Sequence, residues 1–318
     1  MQKNTYRRLR EEDRHIIYRM RKAGNTQQQI AETLGYSQST ISKELSRNRG
    51  QRGYRPKQAH ELSSLRQANK ASRSRVISKA LETEVIERLK RKHSPDQISG
   101  GLRHEGFQAP SRTSIYNFIQ LDRRSGGTLY LNLRINGKRR YRHRNKSNRS
   151  KLVGRVGIEE RPTVVATRER YGDWEADLIA GCRDGGYLLS LYERKSRLGK
   201  LINLDSKDAE TTAEAIITSL KGLCVHTITY DNGLEFAGHQ KVSQRLGASG
   251  YFCQPYHSWE KGGVENFNGL VRQYYPKGTN FLSVSEASLA DTESELNQRP
   301  RKSLNYQSPD NLKHKLAA

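Results

Sequence analysis

Cysteine and long apolar runs are both scarce in this sequence, and each scarcity excludes a class of protein. Cys182, Cys224 and Cys253 are the only cysteines in 318 residues, and none belongs to a C-x-x-C pair. Their odd number and wide spacing argue against a disulfide framework and against a zinc site. No run of 18 apolar residues occurs, and the N-terminal stretch MQKNTYRRLREEDRH lacks the apolar core of a signal peptide. We therefore expect a cytoplasmic protein without a membrane partner.

Acidic residues are scarce in the first half of the chain only. Residues 1–150 contain 35 Lys and Arg against 12 Asp and Glu, whereas residues 151–318 contain 22 against 21. The net charge of +24 is therefore almost entirely carried by the first half. A basic region joined to a neutral one predicts a polyanion-binding segment attached to a folded body. Charge alone does not distinguish DNA from RNA or from an acidic membrane.

The first 50 residues have the pattern of a helix-turn-helix unit. Residues 9–23 place apolar side chains on one helical face. Thr26 and Gln29 then have the spacing of a capping box. Gly35 permits a tight turn, and Ser37 caps the next helix. A plain helical hairpin is the alternative interpretation. The polar face of the second helix, which we expect to contact base edges and phosphates in a major groove, consists of Ser39, Thr40, Lys43 and Arg47.

A similar pattern recurs near residue 100. Ser94 and Gln97 form a second capping box, with Pro95 at the first helical position. Residues 106–110 make a longer connection than in the first unit, and Ser111 caps the final helix. A helical hairpin without DNA contact is again the alternative. The outward residues of this helix are Arg112, Thr113, Tyr116 and Asn117, of which Arg112, Thr113 and Asn117 are predicted to contact DNA.

The segment 123–150 is rich in arginine and poor in apolar residues, as in GKRRYRHRNKSNR. This composition predicts a flexible basic arm that follows phosphates, with Arg139 and Arg140 among its contacts. A linker with no specific role is the alternative.

The second half alternates short apolar runs with turn signals, which predicts an α/β domain. Helices are predicted after the third strand and near the end of the domain, at residues 261–274. The predicted strands cover residues 174–179, 187–192, 200–204, 226–230 and 251–253. Three early strands, a helix and a fourth strand suggest a mixed sheet covered by helices, the plan of a ribonuclease-H-like fold. The expected fold class is therefore multidomain, an all-α helix-turn-helix region followed by this α/β domain.

Three acidic residues are the candidate catalytic and metal-binding site. Asp177 lies in the first predicted strand, Asp231 follows the fourth, and Glu265 lies on the last helix. Three converging carboxylates can hold the two Mg²⁺ ions that clamp a phosphodiester during an in-line displacement. Because these are hard oxygen donors without a His or Cys cluster, the pattern favours Mg²⁺ or Mn²⁺ over Zn²⁺. On the same helix face as Glu265, Asn268 and Arg272 are candidates to hold DNA.

Each carboxylate also has an ordinary structural explanation. Asp173, Glu175 and Asp177 lie within five residues, and only one of them need be a ligand. Asp231 precedes Asn-Gly and could simply form a turn. Glu265 could be a solvated helix residue.

The chain resembles transposases of the bacterial insertion-sequence IS-thirty family, within the DDE transposase and integrase superfamily. The resemblance covers nearly the whole chain and rests on long ordered motifs. These are IEERP, GDWEADLIAG, ITYDNGLEFAGH, YHSWEKGGVENFNGLVRQYYPKG and LNQRPRKSLNYQSP. It implies that Asp177, at the W-E-x-D position, joins Asp231 and Glu265 in a catalytic triad. One departure is Val264, where many members have Asn.

The resemblance implies a two-step reaction on double-stranded DNA. Helix-turn-helix units would bind the terminal inverted repeats of a mobile element. Water would hydrolyse the phosphodiester at the element end, and the freed 3′-hydroxyl would then attack target DNA. Members are expected to act as multimers, at least dimers, on DNA in the bacterial nucleoid. Two alternatives stay open: a non-catalytic DNA-binding regulator with a relic core, and a metal-dependent nuclease without strand transfer.

The predicted domain boundaries follow from these patterns. They place a first helix-turn-helix domain at 1–50, a basic linker at 51–80, a second helix-turn-helix domain at 81–122, a basic arm at 123–163, the catalytic domain at 164–300 and a C-terminal tail at 301–318.

Overall fold

A computed structural model of the chain describes residues 8–73, 77–134, 154–254 and 257–317. The predicted DNA contacts Arg139 and Arg140 lie outside the described residues. The chain divides into two compact units, Met1–Ser78 and Lys79–Ala318. Across the described residues, no helix is both long and apolar enough to cross a membrane.

The first unit is a small helical domain with its own core. Its elements are α1 (Glu11–Lys22), α2 (Gln27–Leu34), α3 (Gln38–Arg47), β1 (Arg49–Gly50), β2 (Gly53–Tyr54) and α4 (Pro56–Arg73). The predicted capping box is confirmed, because Thr26 and Gln29 satisfy each other's backbone N–H groups. Gly35 ends α2 in the left-handed conformation, with φ of 68°, as the tight turn requires. Ser37 caps α3 by accepting the N–H of Thr40.

A buried polar network ties the first unit together. The guanidinium of Arg14 donates to the carboxylate of Glu44 at 2.7 Å, and the Tyr54 hydroxyl donates to the same carboxylate at 3.2 Å. Tyr54 and Ala59 also belong to the apolar core of this unit. The first compact unit extends to Ser78 and so takes in most of the stretch that the sequence assigned to a linker, because apolar residues beyond α3 still reach its core.

The second unit begins with three helices and continues into a sheet domain. The three helices are α5 (Lys79–Lys90), α6 (Pro95–His104) and α7 (Arg112–Arg124). The capping box of Ser94 with Gln97 is confirmed, and Ser111 caps α7. The remaining helices are α8 (Thr163–Thr167), α9 (Ala209–Leu220), α10 (His239–Leu246), α11 (Gly262–Val271) and α12 (Glu286–Asn297).

The sheet has five strands in the order β5-β4-β3-β6-β7. They are β3 (Asp173–Ala180), β4 (Tyr187–Glu193), β5 (Gly199–Leu204), β6 (Thr227–Tyr230) and β7 (Ser249–Phe252). Strands β3, β4 and β5 pair antiparallel, whereas β6 and β7 run parallel to β3. This mixed sheet confirms the predicted ribonuclease-H-like plan.

Alternation along β3 sends its side chains to two different cores. Trp174 and Ala176 pack in the core that includes α9 and α10. Ile179 packs in the core that includes α11 and α12. Because successive strand residues point to opposite faces, the odd-numbered acidic residues of β3 share the face covered by α11.

The last residues of the chain pack against the second unit. Leu316 is fully buried in the core beside α9, and its carbonyl accepts the N–H of Cys224 at 2.8 Å. The Tyr306 ring occupies the space that a side chain at Gly100 would need, which brings this segment against α6. The segment predicted as a tail is therefore packed structure in this unit.

Candidate active site

The three acidic residues of β3 lie on one face of the sheet but have different surroundings. Asp173 is fully buried and accepts a hydrogen bond from the Thr227 hydroxyl at 2.7 Å. Glu175 is also fully buried and forms an ion pair with Arg194. The side chain of Asp177 retains 22% of its exposure. Asp173 and Glu175 are therefore engaged in the core, and Asp177 is the carboxylate of this strand that reaches the surface.

Strand register brings Asp231 level with Asp177. Strands β3 and β6 are parallel, and Glu175 pairs with Thr229. Asp177 and Asp231 lie two residues beyond this pair, so they occupy adjacent positions at the carboxyl end of β6. One oxygen of Asp231, Oδ1, accepts the N–H of Gly233 at 3.1 Å, so the residue does form a turn. Its other oxygen faces the site.

A buried ammonium group connects the two aspartates. Lys261 is 5% exposed, and its Nζ donates to Asp177 Oδ1 at 3.0 Å and lies 3.5 Å from Asp231 Oδ2. It also donates to the Ala176 carbonyl at 3.1 Å. Burial by itself would lower the pKa of Lys261, but the carboxylates of Asp177 and Asp231 outweigh burial and raise the pKa above its ordinary value. Lys261 is therefore a resident cation between the predicted metal ligands.

Helix α11 supplies a second contact to Asp177. The amide of Asn268 donates to Asp177 Oδ2 at 2.6 Å, so both oxygens of Asp177 are held, one by this helix and one by Lys261 just before it. Arg272, one turn further, donates to the carbonyls of Ala180 at 2.8 Å and Pro276 at 3.1 Å. Asn268 and Arg272 thus have partners within the chain, and their contact with DNA stays a prediction.

Glu265 lies in the first turn of α11, one helical turn after Lys261 and half-buried. The predicted buried face of α11 is confirmed, since Val264 and Phe267 pack in the core beneath it. Within the described part of the chain, no three His, Cys, Asp or Glu side chains approach closely enough to hold a metal ion together. The structure brings Asp177 and Asp231 together, and the participation of Glu265 stays a prediction.

The chemistry of the aspartate pair fits a hard cation. The two carboxylates converge on one positively charged atom, the ammonium nitrogen of Lys261, which marks a position where a cation is stabilised. Cys253 lies nearby, but burial raises the pKa of its thiol to about 12, so it stays protonated and is a poor ligand. Oxygen donors of this kind suit Mg²⁺ or Mn²⁺.

Glu235 is an additional carboxylate that the sequence reasoning did not single out. It lies in a short 3₁₀ helix, Leu234–Phe236, directly after the Asp231 turn. Burial chiefly raises its pKa, and the charges of Asp231 and Asp177 raise it further. Its position within the DNGLEF motif was the available signal.

Similarity to known proteins decides the family. A family model described as a helix-turn-helix domain matches residues 5–48. The transposase of insertion sequence element IS4351 from Bacteroides fragilis is 39% identical, over 95% of this chain and 94% of its own length. The transposase InsI of element IS30A from Escherichia coli is 34% identical, over 89% of this chain and 77% of its own length. The chain belongs to the IS30 family of insertion-sequence transposases. This assignment confirms the resemblance on which the sequence interpretation rested.

Two further similarities accompany the family assignment. The transposase of element IS1086 from Cupriavidus metallidurans is 34% identical, over 97% of this chain and 95% of its own length. Among solved structures, the catalytic core domain of BIV integrase is similar over 45% of this chain and 93% of that one, with 20% identity and a TM-score of 0.35. The fold of this IS30-family member is identified by its strand order.

The predicted DNA-contact residues of this IS30-family member lie on exposed helix faces. In α3, Ser39, Lys43 and Arg47 are exposed and Thr40 is half-buried, opposite the buried Ile41. Thr40 Oγ1 lies 2.8 Å from the hydroxyl oxygen of Ser37. In α7 the predicted contacts are exposed in the same way; they are Arg112, Thr113 and Asn117. These positions agree with the helical-wheel reasoning, and DNA contact itself stays a prediction.

The family departure at Val264 has a local structural setting. The Val264 side chain is fully buried, and its backbone N–H donates to Glu175 at 2.7 Å. Glu175 in turn pairs with Arg194, so the beginning of α11 is attached to β3 through a buried ion pair. The sequence indicated that Asn268 shares a helix face with Glu265, but not that Asn268 and Lys261 would both contact Asp177.

Proposed function

We propose that this chain is a DNA transposase that binds the terminal inverted repeats of an insertion sequence, cuts the DNA at the element end and joins the freed end to a target. The observation that supports this function best is the pair Asp177 and Asp231, held level around one cation, with Asp177 within β3 and Asp231 directly after the parallel strand β6. The named relatives are insertion-sequence transposases, which supports a polynucleotidyl transferase.

Asp177, Asp231 and Glu265 would hold two divalent ions, with Mg²⁺ as the expected metal and Mn²⁺ as a substitute. When bound, such ions activate the attacking hydroxyl and stabilise the leaving 3′-oxygen. Asn268 orients Asp177 by donating to its Oδ2, and the Gly233 N–H orients Asp231 by donating to its Oδ1. Pre-orientation of this kind lowers the reorganisation needed when the site is loaded. Hydrolysis and strand transfer would use the same carboxylates.

Binding to the element ends is assigned to the exposed faces of α3 and α7. Lys43 and Arg47 extend from α3 into solvent, and Arg112 extends from the first turn of α7. Cations on the exposed face of a recognition helix suit phosphates and guanine edges in a major groove. Action as a multimer on DNA is part of the proposal and rests on the family.

The decisive experiment incubates the protein and Mg²⁺ with labelled DNA that carries its own element ends and with unlabelled target DNA. We expect nicked ends and joined products from the native chain. Asp231→Asn should bind the ends but give neither product, because an amide is a poor metal ligand. The matched control is Asp184→Asn, since Asp184 is 94% exposed and lies in a loop. That variant should cut and join normally.

The alternatives give different products in the same experiment. Nicks without joined products would indicate a nuclease. Specific binding without nicks from the native chain would indicate the regulator. Equal cutting by Asp231→Asn and the native chain would remove Asp231 from the site.

A further inference from the structure

A second site lies on the other side of α11 from the aspartate pair. A cavity of about 390 Å³ in the second unit is lined by the first residues of α6, the end of β4, the chain near Arg197, residues 266–270 of α11 and residues 300–303. Its volume falls in the range of small-molecule pockets, roughly 300–1,000 Å³. On α11, Asn266 lines this cavity, whereas Asn268, like Lys261 just before the helix, contacts Asp177.

The charged residues of this cavity are mostly cationic. Arg197, Arg301 and Lys302 line it, against one carboxylate, Asp96. The carboxylate of Asp96 already accepts a hydrogen bond from the Tyr306 hydroxyl at 3.4 Å. Among the described residues, no ion pair involves any of these three cations, and the Nε atoms of Arg197 and Arg301 are buried without a hydrogen-bond partner.

Positive charge continues behind the cavity wall. Arg299 is 1% exposed, and it donates to two neutral partners, Gln273 at 3.0 Å and the Tyr274 hydroxyl at 2.6 Å. Burial lowers the pKa of Arg301 to about 10, and the positive charges of Arg299 and Arg197 contribute to that shift. Buried cations are ordinarily paired, because an uncompensated buried charge is strongly unfavourable. Arg301 donates to the neutral carbonyl of Leu296 at 2.8 Å. Among the described residues these guanidinium groups have no carboxylate partner, and beside an open cavity this indicates a missing anion.

We propose that this cavity binds a phosphate group of the DNA backbone. Guanidinium forks match phosphate oxygens in two-point geometry, and the Ser94 hydroxyl and Asn266 amide in the lining offer further donors. The cavity is bounded by α6, which belongs to the second helix-turn-helix unit, and by α11, which carries Glu265. Both bounding helices thus belong to parts of the chain that the proposed function assigns to DNA. The choice of DNA rests on the proposed function, whereas the phosphate chemistry rests on the cavity alone.

The first test measures phosphate binding without DNA or metal. The melting temperature of the full chain is measured in EDTA with sodium phosphate and with sodium chloride at equal ionic strength. Arg301→Met and Lys302→Met are compared with Arg183→Met, which removes one cation that is 97% exposed in a loop. We expect phosphate to stabilise the native chain and Arg183→Met equally. It should stabilise the two cavity variants clearly less. Because phosphate stabilises most proteins nonspecifically, the difference between variants is the result that counts.

The second test measures DNA binding as a function of salt, also in EDTA so that no cutting is required. Each lost phosphate contact should reduce the slope of log affinity against log salt by about 0.9. We expect this reduction for Lys302→Met and Arg301→Met but not for Arg183→Met. Lys302 is exposed, so its replacement leaves folding intact even if Arg301→Met does not fold.

The outcomes separate the proposal from the function on which it builds. Equal phosphate stabilisation of all four proteins would overturn the anion site. Phosphate protection that depends on Arg301 and Lys302, combined with an unchanged DNA slope, would overturn DNA as the source and assign the cavity to free phosphate. Absence of cutting in the Mg²⁺ experiment would affect neither measurement.

Discussion

Lys261→Met tests whether the buried ammonium occupies the position of a catalytic cation. Lys261 is almost fully buried, while the side chains of Asp177 and Asp231 are 22% and 41% exposed. Removing one partner of a fully buried ion pair costs about 3–5 kcal/mol, and exposed pairs contribute roughly 0–1 kcal/mol. The carboxylates here are partly solvated, and Asp177 keeps Asn268. We therefore expect a loss of about 2 kcal/mol in the metal-free protein.

The same free energy should reappear as tighter metal binding. A divalent ion and the Lys261 ammonium cannot occupy the same space between the two carboxylates, so the native chain must displace the ammonium to bind metal. The Lys261→Met variant has no ammonium group between the carboxylates, so metal binding to it does not include the cost of displacing one. Because 1.4 kcal/mol corresponds to a tenfold change in affinity, 2 kcal/mol predicts roughly thirtyfold tighter Mg²⁺ binding.

Two measurements check this prediction. In EDTA the melting temperature of Lys261→Met should fall by about 6 °C, given roughly 2–4 °C per kcal/mol for a unit of this size. Calorimetric titration with Mg²⁺ should give the higher affinity. Lys241→Met is the matched control, because Lys241 also bridges two carboxylates, those of Glu210 and Glu214, but at the surface. Unchanged or weaker Mg²⁺ binding by Lys261→Met would refute the reasoning.

Three further predictions concern other parts of the chain. Gly100→Ala should destabilise the second unit by about 1–3 kcal/mol, because a Cβ there would lie 2.0 Å from the Tyr306 ring. Urea unfolding measures this loss of stability, and an unchanged unfolding midpoint would contradict the prediction. Burial, and to a smaller extent neighbouring arginines, lowers the pKa of His93 to about 3, so the free energy of unfolding should fall as the pH drops below about 6.5, by about 2 kcal/mol at pH 5. In unfolding experiments between pH 7 and 5, His93→Gln should show a weaker pH dependence than the native chain. An equal pH dependence in both proteins would exclude His93 as its source. Replacing Lys43 and Arg47 together with Ala should weaken binding to the element ends and reduce its salt slope by up to about 1.8; unchanged affinity in a gel-shift titration would show that α3 does not read the DNA.

Much of the local structure was predictable because it depends on neighbours in the chain. The capping boxes at Thr26 and Ser94 require only residues three positions apart, and both form. The strands of the sheet follow from alternation over a few residues, which is why their predicted positions agree with the structure within two residues. The buried stripe of α11 follows from helical periodicity in the same way.

Other features of the candidate site were not predictable from local pattern. Alternation places Asp173, Glu175 and Asp177 on one face, but it cannot say what covers each of them. Arg194 pairs with Glu175 from 19 residues away, and Thr227 donates to Asp173 from 54 residues away, where Arg170 also pairs locally. The choice of Asp177 therefore depended on the family motif until the structure located its neighbours.

The sequence by itself determined the elements, the family and the positions of the candidate acids. Local spacing and ordered motifs carry that information, since helix caps, strand alternation and the DNGLEF and GGVEN segments are all read within a few residues. Only the tertiary structure decided that Lys261 is buried between Asp177 and Asp231, because that contact joins residues 84 positions apart. It also decided that Arg197 and Arg301 line one cavity without a paired carboxylate in the described chain. Burial and charge balance are properties of the assembled neighbourhood, and residues from separate elements create them only when the chain folds.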